Sequence, residues 1–123
     1  MNALHQARTA YANPAAITAN ARSGEYKVLA RVTQKLRAAS RPDAPFAERA
    51  EALHDNRRLW LRVARLVADD ENRFAPELRQ RLFFLAEFSL AQTSKVLDGD
   101  ADTEALIEIN TAVMRGLRGD AAQ

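Results

Sequence analysis

The sequence has no cysteine and no long apolar run. With zero cysteines among its 123 residues, it can form neither disulfides nor thiolate metal sites, and thiol catalysis is excluded. The longest uninterrupted apolar stretch covers residues 82–86, whereas a membrane-spanning helix needs about 20 residues. Residues 1–5 carry neither the basic leader nor the apolar segment of a secretion signal. We therefore expect a cytoplasmic protein without membrane insertion.

Residues for catalysis and metal binding are equally scarce. His5 and His54 are the only histidines, and no glycine-rich cradle precedes a Lys-Ser or Lys-Thr pair, so neither a nucleophilic triad nor a phosphate-binding loop is indicated. Residues 98–102 place three aspartates at positions one, three and five of a possible calcium loop. Thr103 then stands where glycine must turn, and Ile109 where a glutamate must close the shell. We expect no enzyme activity and no cofactor or metal, and interpret these aspartates as helix caps.

The net charge of +2 conceals two halves of opposite sign. Residues 1–65 contain 12 Lys or Arg and 5 Asp or Glu, giving +7, and residues 66–123 contain 6 and 11, giving −5. Two readings remain open: basic and acidic helices that lie side by side in one fold, or a basic surface that binds a partner.

Apolar residues recur at helical spacing in four segments, and no useful stretch alternates like a strand. The first helix is predicted from an N-cap at Ser23 to about Ala39, and the second from Phe46 to about Asp69. The third begins at Pro76 and ends near Gly99, and the fourth follows and ends at Gly116. Short connections favour antiparallel neighbours. The fold class expected is all-α, a small antiparallel bundle of about four helices.

Residues 1–22 are predicted to form an N-terminal arm outside this bundle. They are rich in alanine and interrupted at Asn13-Pro14, where the proline lacks an N–H and restricts the residue before it. The arm is expected to be mobile or short-helical. Residues 23–119 then form a single helical-bundle domain.

A first candidate binding cluster lies in the second helix. Arg57 and Trp60 fall in a heptad-like stripe of Phe46, Ala50, Leu53, Arg57, Trp60, Ala64 and Val67. We interpret Trp60 as a core residue in preference to an interface residue, although Trp and Arg are also typical of interface centres. Arg57 is then expected to be buried or half-buried and to need a carboxylate or the carbonyls of a helix C-terminus. Asn56 is expected to cap or crosslink helices.

A second candidate cluster occupies the end of the fourth helix. Asn110 stands between apolar positions, and the following segment mixes Met114, Arg115, Leu117 and Arg118. Flexible methionine suits a surface that accepts varied segments. We expect Met114 and Leu117 to provide apolar contacts to a partner and Arg115 and Arg118 to form the charged rim.

At these two clusters the sequence resembles the FlaF family, small helical flagellar regulators of alphaproteobacteria. The specific segments are residues 56–60, Asn-Arg-Arg-Leu-Trp, and residues 109–117, Ile-Asn-Thr-Ala-Val-Met-Arg-Gly-Leu. Residues 24–26, 30–33, 52–55 and 84–88 add less specific matches. The resemblance covers nearly the whole chain from Ser23 onward.

This resemblance implies a positive role in flagellin production and secretion, through binding of flagellin as an export-type chaperone. It also implies opposition to the FlbT regulators, which repress flagellin translation and are a possible second partner. Helix-in-groove recognition would suit flagellin, whose ends resemble long amphipathic helices. The alternatives are an RNA-acting regulator that uses the basic half, and an adaptor for other flagellar regulators. Because the sequence lacks aromatic residues interleaved with basic ones, nucleic acid is not expected to be the direct target.

Overall fold

The computed structural model describes the backbone of residues 15–69 and 75–118 and the side chains of residues 26–69 and 75–116. Within these ranges it contains four α-helices and no strand, which confirms the predicted all-α class. The helices are α1 (Ala15–Ala39), α2 (Phe46–Ala68), α3 (Pro76–Leu97) and α4 (Glu104–Arg118). None of these helices, within the described residues, is both long and apolar enough to cross a membrane.

The predicted start of the first helix is wrong. Helix α1 begins at Ala15 and continues through Ser23, so Ser23 is an interior residue and not an N-cap. The reason is local, because the alanine-rich stretch before Ser23 has a high helix propensity and no proline after Pro14. Residues 1–14 lie outside the described structure, and the division between an arm and a bundle stays a prediction.

The other helix boundaries follow the turn chemistry of the sequence. Pro45 precedes α2 with extended backbone angles, and Pro76 occupies the first turn of α3, where a missing N–H costs nothing. Gly99 ends α3 in the left-handed region with φ of 83°. The backbone N–H groups of Gly99 and Asp100 donate to the carbonyls of Val96 and Lys95, at 3.1 and 2.8 Å. These bonds form a Schellman motif, which satisfies the last carbonyls of the helix.

The four helices form a closed ring in which each packs on two neighbours. Contacts join α1 to α2, α2 to α3, α3 to α4, and α4 back to α1. Lys35 of α1 pairs with Glu51 and Asp55 of α2, while Arg49 reaches the carbonyl of Ala39. Because later residues of α1 meet earlier residues of α2, these two helices are antiparallel, as predicted.

The core is divided into two apolar clusters with polar residues between them. One cluster contains Leu29, Val32, Leu59, Trp60, Ala86 and Met114. The other contains Leu36, Ala39, Ala52, Leu53, Val96 and Leu106. Each helix contributes residues to both clusters, and a buried polar residue lies between them along the helix. These polar residues are Thr33 on α1, Asn56 on α2, Ser89 and Thr93 on α3, and Asn110 on α4. We call these five residues the polar layer.

Candidate binding surfaces

Three of the predicted site residues meet inside the bundle, not on its surface. The indole Nε1 of Trp60 donates to Oδ1 of Asn110 at 3.0 Å, and Nδ2 of Asn110 donates to Oδ1 of Asn56 at 2.8 Å. Trp60 is 1% exposed and both asparagines are fully buried. The chain of bonds joins α2 to α4, which are not neighbours in the ring. The interpretation of Trp60 as core and of Asn56 as a crosslink is confirmed.

The polar layer is only partly satisfied by hydrogen bonds. Thr33 and Thr93 donate to the carbonyls of Leu29 and Ser89, one turn earlier on their own helices, at 2.6 and 2.7 Å. Among the described side chains, Nδ2 of Asn56 and Oγ of Ser89 are buried without a partner. Each such group costs about 1–3 kcal/mol. Sliding a helix by one turn would place the asparagines against apolar side chains, so the layer fixes the axial register.

The expectation for Arg57 is wrong. Its side chain is exposed and takes part in no ion pair among the described residues. The predicted stripe ran along one flank of α2, whereas the packed face is centred on Asn56, Leu59 and Trp60. The polar residue that interrupts the buried face is therefore Asn56, and Arg57 lies beside it in solvent.

The prediction for the end of α4 is also partly wrong. Met114 is 7% exposed and belongs to the apolar cluster around Trp60, so it cannot provide an apolar contact to a partner without leaving the core. Arg115 is exposed, as a rim residue should be. The helix continues to Arg118, but the side chains of Leu117 and Arg118 lie outside the described residues.

The outer face of α3 carries the aromatic side chains that the sequence reasoning missed. Phe84 is 64% exposed, and Phe83 and Phe88 are 46% and 40% exposed. The rings of Phe84 and Phe88 lie one turn apart, with centroids 6.5 Å from each other and planes inclined by 31°. Exposed aromatic clusters of this kind mark interaction surfaces more often than isolated apolar residues do. We call Phe83, Phe84 and Phe88 the aromatic face.

A signal for this face was present in the sequence. The small residues Ala86, Ser89 and Thr93 recur at spacings of three and four and are all buried. Small side chains at helical spacing let a neighbouring helix approach closely, and they mark the packed side of α3. Phe84 and Phe88 fall on the opposite side.

An open groove of about 300 Å³ extends the aromatic face towards α2. Arg79 crosses from α3 at this end of the bundle, and its guanidinium donates to the carbonyl of Val67 at 3.1 and 2.9 Å. This contact holds the first turn of α3 against the last turn of α2. The groove is lined by Val67, Pro76, Arg79, Gln80 and Phe83.

The basic half of the chain also exposes unpaired charge. Arg58, Arg62 and Arg65 recur at spacings of four and three on one exposed side of α2, and Lys27 and Arg31 are exposed on α1. None of these five takes part in an ion pair in the described part of the chain. Helices α1 and α2 lie beside α4 and α3, as the first reading of the charge asymmetry expected. These five basic side chains are nevertheless not neutralised by an ion pair with any described residue.

Two basic side chains of the first half form ion pairs within residues 35–55. Lys35 pairs with Asp55 and Glu51, and Arg41 pairs with Glu48 and Asp43. The hydrogen bond to Asp55 raises the pKa of Lys35, and the one to Glu48 raises the pKa of Arg41. The pairs with Asp55, Glu51 and Glu48 join α1 and the following loop to α2, whereas the pair between Arg41 and Asp43 lies within that loop.

Of the three aspartates after α3, Asp102 caps a helix with its carboxylate. The carboxylate Oδ1 of Asp102 accepts a hydrogen bond from the backbone N–H of Glu104 at 3.0 Å, which caps the start of α4. Within the described residues no group of three or more histidine, cysteine or acidic side chains is arranged to hold a metal ion.

Comparison with known proteins identifies one family. The model of the family described as flagellar protein FlaF matches residues 7–117. This range contains all four helices except the last residue of α4, together with the polar layer and the aromatic face. No curated protein and no solved structure matches the chain significantly.

Proposed function

The chain belongs to the FlaF family of flagellar proteins, and from this premise we propose that it promotes flagellin production and secretion by binding flagellin as an export-type chaperone. The bound segment is a helical end of flagellin that has not yet been assembled. Such a segment is amphipathic and needs a cover for its apolar stripe until it reaches the filament.

The aromatic face is the observation that supports this proposal. Phe84 and Phe88 stand one turn apart on a helix whose other side is packed in the bundle. Two neighbouring aromatic rings offer the apolar anchors that an incoming amphipathic helix needs in helix-in-groove recognition. Because α3 is held by α2 and α4, the anchors are positioned before the partner arrives, which lowers the entropic cost of binding.

The proposed docking site therefore differs from the end of α4 that the sequence suggested. Met114 is committed to the core, whereas Phe84 is free to contact a partner. Arg115 is exposed on α4, a neighbour of α3, and can still contribute charge at the border of the site.

The test measures binding of purified flagellin to the full chain by calorimetry. The double variant Phe84→Ser with Phe88→Ser is expected to weaken binding at least about tenfold, which corresponds to about 1.4 kcal/mol. Its melting temperature should stay near that of the parent, since both rings are exposed. Phe46→Ser is the matched control, because Phe46 is 63% exposed but lies on α2. Flagellin affinity unchanged in the double variant would contradict this site, and absence of flagellin binding by the parent would contradict the function.

The second candidate function is RNA-acting control of flagellin expression. The observation that favours it is the exposed basic surface of α1 and α2, whose Arg58, Arg62 and Arg65 form no ion pair with any residue that the structure describes. Phosphate binding weakens by about 0.7 log units per contacted single-strand phosphate for each tenfold rise in salt. Tight binding of flagellin leader RNA with such a slope, lost on changing the three arginines to glutamine, would support this alternative.

An adaptor role is the third candidate. Capture of an FlbT-type regulator by the purified chain, in the absence of flagellin, would support it. Nuclease treatment before capture separates a direct protein contact from one that RNA mediates.

A further inference from the structure

Helix α3 carries a complete heptad seam that faces solvent. Its six positions are separated by four, three, four, three and four residues, which is the spacing of a coiled-coil contact line. All six side chains are exposed. The seam consists of Glu77, Arg81, Phe84, Phe88, Ala91 and Lys95.

The seam is complementary to itself when two copies run antiparallel. In that arrangement residues equidistant from position 86 along the chain face each other across a two-fold axis. Phe84 then meets Phe88 of the second copy, and Phe88 meets Phe84, so that four exposed rings form one apolar centre. A two-fold interface requires this kind of self-matching surface.

The charges at the ends of the seam match in the same register. Glu77 of one copy faces Lys95 of the other at both ends, about 27 Å apart along the helix at 1.5 Å per residue. Arg81 faces Ala91, whose small side chain leaves room for the apolar stem of the arginine. Glu77, Arg81 and Lys95 form no ion pair within the described part of one chain. In a parallel arrangement Glu77 would face Glu77 and Lys95 would face Lys95, which disfavours that alternative.

We propose that a second copy of this chain occupies the outer face of α3, forming a weak antiparallel dimer through the seam. The dimer covers Phe84 and Phe88 when no other partner is bound. Because flagellin is proposed to use the same rings, flagellin and the second copy exclude each other. This competition rests on the proposed function, whereas the dimer rests on the seam alone.

The dimer is tested by sedimentation equilibrium of the full chain at concentrations from about 5 to 500 µM, since a contact along one helix is smaller than a standard stable interface. The parent is expected to show a monomer–dimer equilibrium in this range. The double variant Phe84→Ser with Phe88→Ser is expected to remain monomeric, and Phe46→Ser is expected to dimerise like the parent. A parent that stays monomeric throughout would overturn the proposal.

Charge reversal tests the register and the orientation. Glu77→Lys alone, or Lys95→Glu alone, replaces two attractive pairs by two repulsive ones and is expected to raise the Kd of the dimer about tenfold. An equimolar mixture of the two variants is expected to recover the parent affinity, because every end pair is again of opposite charge. The double variant that carries both changes should recover it as well.

The outcomes separate this inference from the proposed function. Single reversals without effect, or a mixture without recovery, would overturn the antiparallel seam even if the parent dimerises. Purified flagellin should convert the dimer into a complex with one copy of the chain. If flagellin binds and leaves the dimer intact, the competition is contradicted while both the dimer and flagellin binding stand.

Discussion

The surroundings of Trp60 and of Phe84 show how one bundle treats two aromatic regions in opposite ways. Trp60 on α2 is 1% exposed, belongs to an apolar cluster and donates its N–H to Asn110. Phe84 on the neighbouring helix α3 is 64% exposed. Both residues sit in strongly apolar segments of helix. Their difference shows that the packed side of a helix is decided by its small and hydrogen-bonded residues as much as by its largest ones.

The largest expected effect comes from truncating the buried member of this pair. Trp60→Ala is expected to lower the free energy of unfolding by about 3–5 kcal/mol, because it opens a cavity and leaves Asn110 without its donor. Phe84→Ala is the matched control and is expected to cost less than about 1 kcal/mol. Chemical denaturation of both variants measures the contrast. Similar losses in the two variants would show that the two regions do not differ in packing.

An intermediate effect is expected from the polar layer that supports Trp60. Asn110→Ala removes the acceptor of Trp60 Nε1 and the donor to Asn56, so we expect a loss of about 2–4 kcal/mol. Thr111→Ala is the control one residue further along α4, where the side chain is half-buried and bonds to Arg37.

A double-mutant cycle sharpens this prediction. Trp60→Phe removes the indole donor while keeping an aromatic ring, and its effect should be non-additive with Asn110→Ala by about 0.5 kcal/mol or more. Additive losses would mean that the bond between Trp60 and Asn110 contributes nothing specific.

The smallest effect is expected at the solvent-exposed ion pair between Arg41 and Glu48. Hydrogen bonds from Arg41 at 3.0 and 2.8 Å lower the pKa of Glu48. A carboxyl group with a lowered pKa in the folded state stabilises the fold at neutral pH, and this contribution is lost as the pH falls through the folded pKa.

We therefore expect a slight fall in melting temperature on acidification through and below the ordinary glutamate range. Glu48→Gln should remove part of this dependence of the melting temperature on pH. Glu108→Gln should not, because Glu108 is on the exposed side of α4 and forms no ion pair with any described residue. Thermal melts at several pH values measure the difference. If Glu48→Gln leaves the dependence of the melting temperature on pH unchanged, the ion pair between Arg41 and Glu48 has no effect on stability.

Local features of the sequence were sufficient to predict most of the fold. Pro45, Pro76 and Gly99 mark helix ends through backbone chemistry that acts within a few residues, and the predicted starts of α2 at Phe46 and of α3 at Pro76 are confirmed. Ser23 was misread because a residue that can cap a helix also fits inside one. The burial of Trp60 was predicted for the same local reason, its place in an apolar stripe.

The candidate site was predicted less well because its geometry depends on distant parts of the chain. Asn56 and Asn110 are 54 residues apart in the sequence, yet Nδ2 of Asn110 lies 2.8 Å from Oδ1 of Asn56. No local pattern in the sequence encodes that pairing. Arg57 was predicted to be at least half-buried and is exposed, whereas Met114 was predicted to contact a partner and is buried. Both errors arose because each residue lies near the border of an apolar stripe. A shift of one residue rotates a helical position by about 100°, which is enough to exchange core and solvent.

The sequence by itself determined the all-α class, most helix limits, the separation of basic and acidic halves and the family to which the chain belongs. These properties depend on local backbone preferences, on composition and on specific motifs. Only the tertiary structure decided that Met114 is buried, that Asn56 and Asn110 join across the bundle and that Phe84 faces solvent. The physical reason is that the burial of a residue depends on its position among four packed helices. For a helix that is apolar on several sides, the exposed side is fixed only when the neighbouring helices pack against the other sides.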